Sequence, residues 1–145
     1  MSGDTSTTLH ATCVAIDGRG VLIEGRSGSG KSDLALRLID RGAVLVADDY
    51  TVLTAVDGRL LASAPATIAG MIEVRGIGIL ASPHRDGLTV ALIVALDDAP
   101  QRMPERLELR EIGGVHVPVM PLAGFEASAP IKVELALRRI DKERP

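Results

Sequence analysis

The chain has 145 residues, 46% apolar and 24% charged, with a formal net charge of −3; this is the balance of one folded domain, not of a disordered segment. Its 16 basic residues are scattered, so no basic stripe marks a nucleic-acid surface. The longest apolar run, Leu88 to Leu96, falls far short of the ~20 residues of a membrane helix. A lone cysteine, Cys13, cannot close an internal disulfide, and the opening MSGDTSTTL has neither the basic start nor the apolar core of a signal peptide. A cytoplasmic location is therefore expected.

In chain order, residues 1–8 are rich in Ser, Thr and Gly and are expected to fray. ATCVAID and VLIEG are short β-type runs separated by the turn-forming DGRG, Asp17 to Gly20, which predicts a hairpin. Beyond Lys31, the residues Leu34, Ala35, Leu38 and Ile39 recur at helical spacing, with Asp33 in the first turn and Arg41-Gly42 as a stop; a helix of about three turns is predicted. AVLVADD, Ala43 to Asp49, reads as a central strand ending in two acids. YTVLTAV and RLLASAP form a meander about Asp57-Gly58. MIEVRGIGIL is Gly-interrupted and partly extended, Leu88 to Leu96 is a buried strand, and DDAPQRMPERL is a Pro-containing surface segment. IKVELALRRI fits both strand and helix periodicities, and helix is the expectation. The whole reads as one α/β domain over residues 9–141, a mostly β core with two helices, followed by a flexible 142–145.

GRSGSGKS, Gly25 to Ser32, has the spacing of a phosphate-cradling loop. Such a loop works because backbone N–H groups wrap a β-phosphate, the lysine reaches the β- and γ-oxygens and the hydroxyl takes Mg²⁺; glycines keep side chains out of that approach. Gly25, Ser27, Gly28, Ser29, Gly30, Lys31 and Ser32 are the expected nucleotide-binding residues, with Mg²⁺ alongside. Tyr50 and Phe125 are the only aromatic residues, so the nucleobase is expected to rest mainly on aliphatic groups.

Phosphoryl transfer also needs a metal holder and a residue that orients or deprotonates the attacking group. Asp48 and Asp49 are the candidates, because strand ends beside a phosphate loop are where ligands bind. One acid could take the acceptor's proton and the other hold the metal environment, provided the strand twists or ends there; spacing does not say which does which. Glu73 and Arg75 share a face if extended and could serve metal and phosphate, but on the residues alone a surface ion pair is the favoured reading. Taken alone, His10 reads as a solvated or capping residue, His84 and His116 as surface positions, Arg106 as a loop charge and Cys13 as a small buried hydrophobe.

Four blocks in order resemble the catalytic domain of the bacterial HPr kinase/phosphorylase family: His10 fifteen residues ahead of Gly25, the loop GRSGSGKS, VADD at Val46 to Asp49, and IEVRGIGI at Ile72 to Ile79. The resemblance spans residues 9 to 110 firmly and the remainder loosely. It implies a P-loop kinase domain of the HPr kinase/PEP carboxykinase-like type, with ATP and Mg²⁺ as cofactors. The implied reaction is phosphorylation of a serine on an HPr-like phosphocarrier protein, with the reverse reaction as a further activity. Lys31 and the Gly28 to Ser32 backbone would hold the ATP phosphates, and Ser32 with Glu73 the metal. Asp48 would be the base, supported by Asp49 with His10 as electrostatic partner, and Arg75 and Arg106 would assist phosphate or partner binding. A homo-oligomer is expected, the family forming hexameric rings.

The chain departs from the family pattern in two places. Where the family has P-V-R-P-G-R-N-L-A, this chain has PVMPLAGFEASAP, Pro118 to Pro130, without either arginine. Asp17 stands where the family has the tyrosine of D-I-Y-G. The chain resembles a short form lacking the family's N-terminal domain. Two other readings fit the same residues: a nucleotide-binding regulatory module with little transfer activity, and a small-molecule kinase.

Overall fold

A computed structural model describes residues 5–100 and 106–143. Two antiparallel hairpins are built on the two Asp-Gly turns. Strands β2 (Ala11–Ile16) and β3 (Arg19–Glu24) pair about Asp17-Gly18, and β5 (Thr51–Val56) and β6 (Arg59–Ser63) about Asp57-Gly58. Both residues of each turn have positive φ, 51° and 78° in the first and 50° and 77° in the second. A two-residue turn needs that backbone to match the right-handed twist of its strands, and Asp-Gly supplies it at low cost.

The strand β9 (Leu88–Leu96) is the spine of the molecule. Its start pairs antiparallel with β6 through Leu88 and Thr89, and the rest pairs parallel with β3 on one side and with β11 (Val115–Leu122) on the other. Sheet order runs β1-β5-β6-β9-β3-β2-β4, where β1 is Thr5–Leu9 and β4 is Val44–Ala47; β10 (Glu108–Ile112) extends the sheet beyond β11. A hairpin of β7 (Met71–Val74) and β8 (Gly78–Ala81) forms a second, two-stranded sheet that packs on the core through Ile72. Because β3 and β4 are each antiparallel to β2, and β3, β9 and β11 are parallel, the four strands β3, β4, β9 and β11 end on one side of the sheet. That common end is where an α/β sheet offers loops to a ligand.

Side-chain alternation along β3 divides the core. Val21 and Ile23 join one apolar cluster with Leu34, Ala35 and Leu38 of helix α1 (Lys31–Asp40) and with Val133 and Leu137 of helix α2 (Ala129–Glu143). Leu22 faces the other way, into a cluster with Cys13, Val46, Leu53 and Leu60 beneath the β1-β5-β6 layer. Period-2 alternation thus lets one strand seal two faces, helices on one side and folded-over strands on the other. The helical reading of the last apolar stretch is borne out, as are a helix beginning at Lys31 and the mostly β core.

Three expectations need correction. Residues 5–8 do not fray: β1 is paired with Thr51–Ala55 of β5, and Ser6 and Thr54 share a hydroxyl bond of 2.9 Å, so polar residues are ordered by a ladder that composition does not reveal. β4 is not central. It lies at the sheet edge, because β2 rather than β4 flanks the phosphate-loop strand. Helix α2 runs past residue 141 to Glu143. Residues 1–4, 101–105 and 144–145, including part of the expected surface segment 97–107, lie outside the described residues.

Candidate active site

The glycine-rich loop over residues 25–32 forms the floor of a cleft of about 470 Å³ at the common strand end. Gly28 and Gly30 have φ of 81° and 97°, values an L side chain rarely adopts. Gly25 is required for space: a Cβ there would lie 2.4 Å from Ser29 Oγ and 3.1 Å from Leu96 Cβ. The N-terminus of α1 has no side-chain cap, so its first N–H groups are available to an anion. Lys31, only 6% exposed, donates from Nζ to the carbonyls of Gly25 (3.0 Å) and Arg26 (3.2 Å), folding over the loop it serves. Glu24, immediately before the loop, is clamped by both guanidinium arms of Arg110 on β10, NH2 reaching Oε2 at 2.8 Å. That hydrogen bond, more than the charge, raises the Arg110 pKa further above its ordinary value.

The acid pair divides where β4 ends. Asp48 is 7% exposed and accepts three hydrogen bonds: Oδ1 takes the Ser32 hydroxyl at 2.6 Å and the Thr12 hydroxyl at 3.3 Å, and Oδ2 takes the Glu73 backbone N–H at 2.9 Å. One carboxylate therefore ties together the phosphate loop, β2 and β7. Asp49 turns the chain with φ of 64°, a left-handed conformation that Asp tolerates better than most residues. Its N–H is received by Thr12 Oγ1 at 3.0 Å, while its carboxylate is half exposed and lies 2.7 Å from His10 Nε2. The His10 ring stacks on Tyr50 with centroids 5.0 Å apart. The condition for splitting roles between adjacent acids, that the strand end there, is met.

Of the expected residues, Ser27, Gly28, Gly30, Lys31 and Ser32 line the cleft, as do Asp48, Asp49, Glu73 and Arg75. Glu73 lies on β7, whereas Arg75 is past its end, in the turn where Ile77 N donates to Val74 O. His10 reaches the site through Asp49. Arg106 is exposed and is not among the cleft-lining residues. His84 and His116 are exposed, as expected. Cys13 is buried, and desolvation pushes its thiol up to about 12. Thr12 and Phe125 escaped the sequence reading of the site, as did the cleft-lining Asp33, Leu36 and Val74. A fully buried threonine in an otherwise apolar strand was the signal for the first, since a buried hydroxyl must find partners.

Residues 4–123 match the model of the HPr Serine kinase C-terminal domain. The chain belongs to this family. Among relatives, the HPr kinase/phosphorylase of Clostridium tetani is 48% identical over 86 residues, covering 59% of this chain and 28% of that protein. The Clostridium novyi protein of the same name is 40% identical over 126 residues, covering 80% of this chain and 41% of its own length. The chain thus spans less than half the length of these curated relatives. A solved structure, the Hpr(Ser) kinase/phosphatase from Coxiella burnetii, superimposes with a TM-score of 0.82 at 30% identity, covering 94% of this chain and 92% of that one. The family match ends just where the chain leaves β11 and enters the loop that carries Phe125. Within the described residues, no helix is long and apolar enough to cross a membrane.

Proposed function

We propose that this chain is the catalytic domain of an ATP- and Mg²⁺-dependent kinase that phosphorylates a serine of an HPr-like phosphocarrier protein. The observation that carries this reading is the pairing of a buried acid, Asp48, bonded to the phosphate-loop hydroxyl, with an exposed acid, Asp49, at the same cleft. The acceptor is supplied by the names of the relatives, which are kinases of HPr.

Magnesium suits the donor set. Ser32 and Asp48 are hard oxygen ligands already 2.6 Å apart, Glu73 lines the same cleft, and no cluster of three or more His, Cys, Asp or Glu forms an all-protein cage among the described residues. An ion that keeps several waters and binds through one or two protein groups plus phosphates fits this arrangement. Bound there, it would neutralise charge on the β- and γ-phosphates.

The chain's own residues then do the following. Lys31 exchanges its two carbonyl partners for phosphate oxygens, and the loop N–H groups hold the β-phosphate. Asp49 takes the proton from the acceptor serine hydroxyl as its oxygen bonds to the γ-phosphorus and the bond to the β–γ bridging oxygen breaks, leaving ADP and phosphoserine. His10 fixes the Asp49 carboxylate, and Arg75 meets phosphate or partner at the open side. The family resemblance suggests Asp48 as the base. The opposite division is favoured here, because Asp48 is buried with its oxygens occupied while Asp49 faces the opening. The expected role of Arg106 has no support from the cleft lining.

A cytoplasmic location and a homo-oligomer belong to the same proposal, the latter supported by the exposed Ile77 and Ile79 on the hairpin beside the cleft. The test is incubation with Mg-ATP and HPr followed by mass spectrometry. One added phosphate on a serine is expected; unmodified HPr, with nucleotide bound, would favour a regulatory binding module instead.

A further inference from the structure

We propose that Phe125 is the platform on which the nucleobase of the bound triphosphate stacks. The inference rests on the nucleotide reading above and goes beyond it, and it replaces the expectation of a mainly aliphatic base site.

Phe125 lies in the loop between β11 and α2, which leaves the sheet on the phosphate-loop side. Its ring lines the cleft and is 63% exposed. Leaving so much aromatic surface in water forgoes its burial energy, which is expected where a ligand supplies the cover. The ring is nevertheless held in place. Its Cε1–Cζ edge lies against Gly30, where an added Cβ would come within 2.9 Å of Cε1. The loop backbone is gripped by Arg37 of α1, which donates to the carbonyls of Gly124 and Glu126, the latter at 3.0 Å, while its Nε is steadied by Asp33 at 3.0 Å. Gly124 itself packs on Leu96, where a Cβ would meet Cδ2 at 2.9 Å. The same Leu96 backs Gly25, so the aromatic loop and the phosphate loop share one support.

An exposed ring fixed beside the residues that cradle phosphates is placed to receive the flat group at the other end of a nucleotide. Every nucleobase has a π-face, and stacking on an aromatic ring is worth on the order of tenfold or more in affinity. Tyr50, the other aromatic residue, is already stacked on His10.

Calorimetric titration of wild type, Phe125→Ala and Phe125→Tyr with Mg-ATP and with Mg-tripolyphosphate, which has the phosphates but no base, tests this directly. The expected result is that Phe125→Ala loses on the order of tenfold or more in ATP affinity with tripolyphosphate binding unchanged, and that Phe125→Tyr keeps both. The chain has no tryptophan, so Phe125→Trp supplies a single indole, excited selectively at long wavelength, whose emission ATP should quench and tripolyphosphate should not. Equal losses for both ligands would mean that the ring acts only by propping Gly30, and an unchanged ATP affinity would mean that it does nothing; either overturns the proposal. Wild type binding neither ligand would overturn the nucleotide reading itself.

Discussion

The floor and the rim of the cleft are built on different terms. On the floor, Thr12, Asp48 and Lys31 are each shared among neighbours: Thr12 receives Asp49 N–H and donates to Asp48, Asp48 accepts from Thr12, Ser32 and Glu73 N–H, and Lys31 ties two loop carbonyls. On the rim, Asp49, Arg75 and Phe125 are exposed and each hangs from one local device, whether the His10 contact, a turn after β7 or the Arg37 grip. A floor of this kind resists rearrangement, since moving one group strands another. The rim can change its side chains without unfolding the site. In the proposed reading the floor would hold the phosphates and the rim would meet the acceptor.

That contrast can be broken from either side. The largest effect is expected from Asp49→Asn, which keeps the shape of the rim but cannot accept a proton; transfer to HPr should fall about 10²- to 10⁴-fold in single-turnover assays, with melting temperature nearly unchanged. Thr12→Val, a floor substitution of similar shape, should cost about 1–3 kcal/mol in denaturant unfolding, because a buried hydroxyl bonded to both acids is lost. Arg37→Met should cost a similar ~1–3 kcal/mol and make the Gly124–Glu126 amides exchange hydrogen faster than those of β3. The smallest effect belongs to Arg26→Ala at the loop's outer edge, where the pair with Asp98 is 3.4 Å long and both partners are exposed; less than about 1 kcal/mol is expected. A large loss there would mean that the loop depends on its rim.

Much of the floor was readable in the sequence. Gly25, Gly28, Gly30, Lys31 and Ser32 carry a spacing that few other structures require, and the two Asp-Gly turns specify their hairpins by local backbone chemistry alone. What escaped depends on contacts distant along the chain. β4 looks central because it is short and apolar, yet its edge position follows from the antiparallel insertion of β2. β1 looks frayed because its residues are polar, yet it is ordered by β5, some 46 residues away. Asp48 and Asp49 are chemically identical neighbours, and only the left-handed turn at Asp49 separates the buried acid from the exposed one. Phe125 lies where the chain departs from its family, so no motif could assign it.

The division between the two acids is the central claim, and paired measurements on Asp48→Asn and Asp49→Asn test it most directly: Mg²⁺-dependent ATP affinity alongside the single-turnover rate of phosphate transfer to HPr. The account predicts that Asp49→Asn binds Mg-ATP as wild type does but transfers almost nothing, whereas Asp48→Asn loses the magnesium dependence of ATP binding. Normal magnesium dependence in Asp48→Asn, together with full transfer by Asp49→Asn, would contradict it.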